Sequence, residues 1–306
     1  MLLSHIGHTP LVPLSRPSGI LLKCEHLNPG GSIKDRIALA MVEAAEADGS
    51  LRPGSTIVEA TAGNTGMGLA LVAAQRGYSL VCVMPEKMSL DKRATLKMLG
   101  ARLVITPNAP LSDPQNFQNV ARRLAEEQGW WWPDQFRNPA NPKVHEEKTA
   151  VELLEQTGGN IGAFVAAAGT GGTLTGVARA LRRHNPQIRI VLADPVGSAL
   201  ASWFYRGEPG PEAPYLVEGV GSGIPPENLD LSLVDDVVSV SDAESFATTR
   251  RLIQEEGLLV GGSSGTNVAA ALQYLHRNPS YGPIVTVLPD HMDRYQSRPW
   301  MQAWLD

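Results

Sequence analysis

Short apolar runs alternate with helical stretches along most of this chain, and that alternation restricts its possible folds more than any other feature. Ser55 to Ala60, Ser79 to Met84 and Arg102 to Thr106 read as strands, while Asn64 to Gln75, Ser89 to Leu99 and Asn119 to Gln128 read as helices. A second series follows, with helices at Lys148 to Gln156 and Leu174 to Arg183 and strands at Ala163 to Ala168 and Ile188 to Ala193. After a Gly/Pro-rich stretch from Val196 to Asn228 that reads as connecting loop, the pattern resumes. It gives strands at Val237 to Val240, Leu258 to Val260 and Ile284 to Leu288, with helices at Ala243 to Glu256 and Thr266 to His276. Such βαβ units predict an α/β protein with mostly parallel sheets flanked by helices, which binds ligands at the carboxyl ends of its strands. A length of 306 residues suffices for two α/β lobes.

Ahead of this series, the apolar run Ile20 to Cys24 leads into Asn28-Pro29-Gly30-Gly31-Ser32-Ile33-Lys34-Asp35-Arg36. Pro29, Gly30 and Gly31 break regular structure, and Ser32 followed three residues later by Asp35 has the spacing of a capping box opening a helix at Ile33. An apolar stripe of Ile37, Ala38, Met41, Val42 and Ala45 continues that helix. Lys34 therefore sits near the positive end of the helix macrodipole, where a neutral amine is favoured over an ammonium. The neutral amine is the form that condenses with an aldehyde. The same pattern also describes a capped surface helix carrying an ordinary lysine.

Four glycine-rich loops fall where strands end. Thr61-Ala62-Gly63-Asn64-Thr65-Gly66 offers backbone amides and one side-chain amide, although a tight turn reads equally well. Gly169-Thr170-Gly171-Gly172-Thr173 follows an apolar strand and opens a helix, so its amides and two hydroxyls can surround a phosphate. It has neither the spaced glycines of a dinucleotide fingerprint nor the Gly-Lys-Ser/Thr of a nucleoside-triphosphate loop, which points to a compact monophosphate. Glu218-Gly219-Val220-Gly221-Ser222-Gly223 can border a ligand site, and either serine of Gly261-Gly262-Ser263-Ser264-Gly265 can serve as a helix cap. One amine, one monophosphate cradle and neutral hydrogen-bonding groups are compatible with pyridoxal phosphate.

Composition narrows the partners. A net charge of -5 gives no general attraction to nucleic acid or anionic membrane, and no apolar run reaches 18 residues. Cys24 and Cys82 each lie in an apolar run without CxxC spacing, so packed thiols in a reducing, cytoplasmic setting are expected, with no metal site. Trp130-Trp131-Trp132 reads as core or subunit contact.

Taken together, the motifs resemble the cysteine synthase and cystathionine β-synthase family of fold-type II pyridoxal-phosphate enzymes. The likeness runs from Ile6-Gly7-His8-Thr9-Pro10-Leu11 to Leu288-Pro289-Asp290 and rests on Gly30 to Arg36, Glu59 to Gly66, Gly169 to Thr173 and Gly261 to Gly265. It implies that Lys34 forms the Schiff base and handles the substrate α-proton. It likewise implies that Asn64 bonds the cofactor's ring oxygen, that Gly169, Thr170, Gly171, Gly172 and Thr173 hold its phosphate, and that Ser263 meets its pyridine nitrogen. Thr61, Ala62, Gly63, Asn64 and Thr65, with Gln135, would bind the substrate α-carboxylate, and Gly219 would lie near the amino acid. The implied architecture is tryptophan-synthase-β-like: a smaller mobile substrate-binding domain over 28–138 with 1–5, and a larger cofactor-binding domain over 6–27 and 139–306. The implied reaction is β-replacement on L-serine or O-activated L-serine by sulfide or a thiol, through an aminoacrylate, in a homodimer. A neutral serine at the ring nitrogen would limit the electron sink and suit β-elimination.

Within the family, Met84 to Ser89, Asp194 to Ser198 and Glu256 to Gly262 resemble cystathionine β-synthases, whereas Gly221-Ser222-Gly223-Ile224-Pro225 resembles cysteine synthases. With a short N-terminus and an end at Asp306, neither a haem-binding segment nor a regulatory domain pair is expected. Ala62 replaces a serine of many relatives. Glu146 replaces a tyrosine of several, where it either attracts the amino group of an amino-acid thiol or is simply solvated. Other readings are a specialised β-substituted alanine synthase using a nitrogen nucleophile, a cysteine desulfhydrase, or a non-catalytic paralogue that binds a partner protein.

Overall fold

The computed structural model describes residues 2–61 and 63–305. Its strands are β1 (Leu11–Pro13), β2 (Ile20–Lys23), β3 (Thr56–Ala60), β4 (Ser79–Pro85), β5 (Arg102–Thr106), β6 (Ala163–Ala167), β7 (Arg189–Pro195), β8 (Asp236–Val240) and β9 (Ile284–Val287). The helices are α1 (Lys34–Asp48), α2 (Asn64–Arg76), α3 (Leu90–Met98), α4 (Phe117–Gln128), α5 (Ala140–Val144), α6 (Ala150–Thr157), α7 (Gly172–His184), α8 (Leu200–Arg206), α9 (Asp242–Glu256), α10 (Gly262–Arg277) and α11 (Pro299–Gln302). Two compact units divide the chain: Met1–Ile6, Asn28–Ala140 and Asp293–Asp306 form the first, and Gly7–Leu27 with Asn141–Met292 the second.

In the first unit β3, β4 and β5 pair in parallel in that order. Parallel strands covered on both faces read as continuous apolar runs, which is why these segments were legible. Ile57, Leu69, Cys82, Met84 and Leu96 pack with Ala38 and Val42 of α1 in one cluster, and Val58, Val83, Val120 and Ala121 form a second. Leu96 is fully buried, and its truncation to alanine costs about 2–5 kcal/mol by lost transfer energy and cavity formation. The tryptophan triplet serves packing. Trp131 donates its N–H to the Thr56 carbonyl (3.0 Å) and accepts from the Val58 N–H (2.9 Å), while Trp130 and Trp132 pack on the Val58 cluster.

The second unit holds a sheet of order β1-β2-β9-β6-β7-β8, parallel except for the antiparallel β1-β2 pair. Alternation along β6 sends Phe164 and Ala166 to a cluster with Leu153, Val177, Leu181 and Leu192, and Ala163 and Val165 to one with Leu22, Val191, Val268 and Tyr274. Lys23 is fully buried: its Nζ is 2.6 Å from Glu152 Oε2 and also donates to the Thr9 carbonyl (2.7 Å) and Gln156 Oε1 (2.9 Å). Three acceptors on one buried ammonium are the condition under which such a charge is tolerated.

Four local expectations are corrected. Helix α1 begins at Lys34, and Asp35 makes no capping box with Ser32: its Oδ2 accepts from the Gly30 N–H at 2.5 Å, while Ser32 Oγ accepts from the Lys34 N–H at 3.2 Å. Leu258 to Val260 is not a strand. The Leu258 N–H bonds the Leu252 carbonyl in a local turn, and Val260 makes only an isolated bridge to His291. The stretch read as loop contains α8, in which Trp203 donates from its indole to the Gly223 carbonyl (3.0 Å). The helix expected from Lys148 is preceded by and begins within a π-helical turn, His145–Thr149, before α6.

Candidate active site

In the first unit the lysine turn and the Asn64 loop are brought side by side by helix packing. Gly68, one turn into α2, has no room for a side chain: a Cβ there would lie 3.0 Å from the Lys34 carbonyl and 2.9 Å from the Ala38 Cβ. The beginnings of α1 and α2 are thereby neighbours, and Lys34 is the first residue of its helix and half-buried. At the end of β3 the Thr61 hydroxyl accepts from the N–H groups of Gly63 (3.0 Å) and Gly66 (3.1 Å), folding the loop back on itself. Gly63 has φ +132°, a conformation that side chains rarely adopt. Ala62 lies outside the described residues.

Gln135 joins this loop from a distant segment. Its Oε1 accepts from the Thr65 hydroxyl at 2.5 Å and its Nε2 donates to the Ala60 carbonyl at 2.8 Å. Thr61, Gly63, Asn64, Thr65 and Gln135 are thus one cluster. Behind it lies Glu59, fully enclosed. Burial, helped by the charge of Asp134, pushes its carboxyl well above the usual range, and the nearby Gln135 N–H and Trp132 indole offset this only in part.

In the second unit β6 ends at Ala167 and α7 opens at Gly172, so Gly169 to Thr173 form a loop on a helix N-terminus. Its glycines are required by contact. A Cβ on Gly169 would lie 2.1 Å from the Gly219 carbonyl oxygen, and one on Gly172 would lie 1.9 Å from Asn141 Oδ1. The first contact joins this loop to Gly219, whose segment is also tied by the Gly221 N–H to the Ala168 carbonyl (2.8 Å). The Thr170 hydroxyl accepts from Asn141 Nδ2 (3.0 Å), and the Thr173 hydroxyl is 3.2 Å from His145 Nε2.

Ser263 stands buried in the first turn of α10, whose N-cap is Gly261, so neither serine of that loop caps the helix. One turn later Asn267 accepts from the Ala167 N–H (2.7 Å) and donates to the Val287 carbonyl (2.8 Å). That side chain clamps the start of α10 to the carboxyl ends of β6 and β9, the edge where parallel sheets bind ligands.

Asn141, His145, Asn267 and Arg294 are the residues that sequence reasoning missed. Arg294, in the first unit, donates to Asn64 Oδ1 at 2.8 Å. None of the four lies in a glycine-rich motif, and each acts through a side-chain bond that local spacing does not encode. Glu146, weighed as a substrate contact, is ion-paired with Arg183 of α7 at 2.5 Å. Cys24 and Cys82 are buried free thiols, and burial pushes Cys24 up to about 11 and Cys82 higher still. Among the described residues no cluster of three or more His, Cys, Asp or Glu can hold a metal, and no helix is long and apolar enough to cross a membrane.

The donor set fits pyridoxal phosphate. The 169–173 loop supplies uncharged N–H and hydroxyl donors at a helix N-terminus, as a phosphate needs, and its glycines permit close backbone approach. Lys34, the amine to which the resemblance assigns the aldehyde, heads its own helix. These features define a phosphate-cofactor enzyme of the parallel α/β class. Residues 2–290 match the model of the pyridoxal-phosphate dependent enzyme family, and the chain belongs to that family.

Cysteine synthase of Staphylococcus aureus strain Mu50 is 45% identical over 300 residues, spanning 96% of this chain and 94% of that protein. Rat cystathionine β-synthase is 44% identical over 313 residues, spanning 99% of this chain and 56% of that longer protein. A crystal structure of O-ureido-L-serine synthase superposes with a TM-score of 0.91 at 40% identity, covering 99% of this chain and 98% of that one.

Proposed function

We propose that this chain catalyses β-replacement on L-serine or an O-activated L-serine, with sulfide or a thiol as the incoming nucleophile, and that it works as a homodimer. The observation that carries the reading is Lys34 at the first position of α1 in a chain matching the pyridoxal-phosphate family over residues 2–290. When bound, the cofactor supplies an electron sink conjugated to the substrate α-carbon. Lys34 Nζ would accept and return the α-proton. The amides of Gly169 to Gly172 and the hydroxyls of Thr170 and Thr173 would hold the phosphate, with Asn141 and His145 fixing those hydroxyls. Asn64 would donate to the ring oxygen, and Ser263 would meet the ring nitrogen without a charge of its own.

The Thr61 to Thr65 segment, with Gln135, would receive the substrate carboxylate, Ala62 contributing only its backbone. Gly219 would border the amino acid. Two buried free thiols support a reducing compartment such as the cytoplasm. A second reading, an oxygen or nitrogen nucleophile in place of sulfur, is favoured by the likeness to O-ureido-L-serine synthase.

The test is a visible spectrum of the purified protein during titration with L-serine, O-acetylserine and O-phosphoserine, followed by sulfide, homocysteine and non-sulfur nucleophiles. A cofactor band that shifts with one donor and reverts with one nucleophile names both substrates. A protein that takes up no pyridoxal phosphate, or a Lys34→Ala variant that keeps full turnover, overturns the proposal.

A further inference from the structure

The pieces of the first unit's candidate site are held by residues near the end of the chain. Arg294 is 5% exposed, so its guanidinium must find acceptors within the protein. Its Nη1 donates to Asn64 Oδ1 at 2.8 Å and its Nη2 donates to the carbonyl of Gly30, in the turn that leads to Lys34. The backbone of the same residue is pinned as well, since the Arg294 carbonyl accepts from Ser89 Oγ at 3.2 Å. Next to it Tyr295, also buried, receives Lys92 Nζ 4.5 Å from its ring centroid. The Lys92 stem lies against the carboxylate loop, because a Cβ on Gly63 would be 2.7 Å from its Cδ. Two consecutive residues thus reach the lysine turn, the start of α2 and, through Lys92, the Gly63 loop.

The chemistry of the Asn64 contact is directional. A carboxamide has acceptor capacity at its oxygen and donor capacity at its nitrogen. A cation at Oδ1 favours the orientation in which Nδ2 is the donor end, the end suited to an anionic ring oxygen. Loss of that cation removes its bias toward this orientation, and in the opposite one an oxygen facing an oxygen loses a donor and gains repulsion. A guanidinium suits the task better than an ammonium, because its rigid fork meets two acceptors at once while a lysine presents a single point charge.

We infer that Arg294 is a positioning residue: it orients the Asn64 amide toward pyridoxal phosphate and, through Gly30, keeps the Lys34 turn in register with that amide. The inference rests on the cofactor reading proposed above. A donor at the ring oxygen favours its ionised form, which absorbs at longer wavelength than the neutral phenol.

The experiment titrates cofactor-stripped protein with pyridoxal phosphate and reads both the apparent Kd and the ratio of visible to near-ultraviolet bands. The proteins compared are wild type, Arg294→Met, Asn64→Ala and the double variant. Arg294→Met is expected to weaken cofactor binding roughly tenfold, the size of one hydrogen bond to a charged group, and to lower the visible share of the spectrum. If Arg294 acts through Asn64, the loss in the double variant is at least about threefold smaller than the product of the two single losses, since coupled residues are not additive. Arg294→Met with wild-type affinity and spectrum overturns the inference, as does full additivity with Asn64→Ala. Should Arg294→Met not fold by circular dichroism, the same readouts on Arg294→Lys decide, a smaller weakening with the same spectral direction supporting the role and no change refuting it. A wild-type protein that binds no pyridoxal phosphate overturns the cofactor reading itself, and this inference with it.

Discussion

The hydroxyl of Thr65 donates to Oε1 of Gln135 at 2.5 Å, joining residues 70 apart in sequence inside a buried cluster. The same glutamine amide donates to the Ala60 carbonyl, so both of its ends are committed. Thr65→Val removes this buried hydrogen bond and is expected to cost about 1–3 kcal/mol in urea unfolding. Gln135→Ala is expected to raise KM for the amino-acid donor about tenfold with a much smaller change in kcat, because it disturbs the loop proposed to bind the carboxylate and no proton-transfer group. Equal losses in kcat and kcat/KM would remove Gln135 from the carboxylate subsite.

Glu59 makes a pH prediction with a definite sign. Its folded-state pKa is raised above the ordinary glutamate value of 4.5, mainly by burial, so the folded protein holds a proton that the unfolded chain has released. Its stabilising contribution is fully present below pH 4.5 and is lost as pH rises toward the folded-state value, by up to about 1.4 kcal/mol per pH unit. Glu59→Gln, which keeps the shape and cannot ionise, is expected to match wild type near pH 4.5 and to gain on it steadily above. Parallel stability curves for the two proteins from pH 5 to 8 would show that Glu59 is ionised in the fold.

The sheets were legible because their strands are sandwiched. Phe164, Val165 and Ala166 are all buried, and a run apolar on both faces needs no partner to be recognised. The same signal misled at Leu258 to Val260, where Val260 packs as core without joining a sheet. Helix α8 was missed because its aromatic residues Trp203, Phe204 and Tyr205 are flanked by the glycines and prolines that mark loops. The Asn64 and Gly169 to Thr173 motifs were readable as strand-to-helix loops. Their supports were not: Asp35 turns back to Gly30 instead of closing a capping box with Ser32, and Arg294 reaches Asn64 across 230 residues. The C-terminal segment from Asp293, assigned by sequence to the larger domain, clusters with the first unit, which is what puts Arg294 within reach of Asn64.

The junction of the 169–173 loop with Gly219 predicts a loss that a small side chain can cause. A Cβ on Gly169 would stand 2.1 Å from the Gly219 carbonyl oxygen, and the obstacle is backbone, which cannot rotate aside. Gly169→Ala must displace one loop or the other. The expected outcome is a destabilisation of about 1–3 kcal/mol, typical of overpacking, with at least a tenfold rise in the apparent Kd for pyridoxal phosphate. Gly207→Ala is the control for a glycine substitution as such, because a Cβ there meets nothing within 4 Å although φ is +73°. It should lose stability through backbone strain and leave cofactor affinity unchanged.

Glu146 offers a test of how the incoming nucleophile is recognised. Its carboxylate is 2.5 Å from Arg183 Nη1, and the Arg183 side chain is 64% exposed, so the pair is well solvated on one side. Exposed pairs of this kind contribute about 0–1 kcal/mol, and Glu146→Gln should change unfolding free energy by no more than that. The pairing favours the solvated role for Glu146 over a contact with an amino-acid nucleophile. A carboxylate already neutralised by Arg183 has little left to attract a substrate ammonium. The KM for homocysteine should therefore change less than about twofold in Glu146→Gln, and the KM for sulfide, which has no amino group, by as little. A tenfold rise for homocysteine alone would mean that the carboxylate leaves Arg183 to meet the amino-acid nucleophile. Arg183→Gln would then lower the homocysteine KM by freeing that carboxylate.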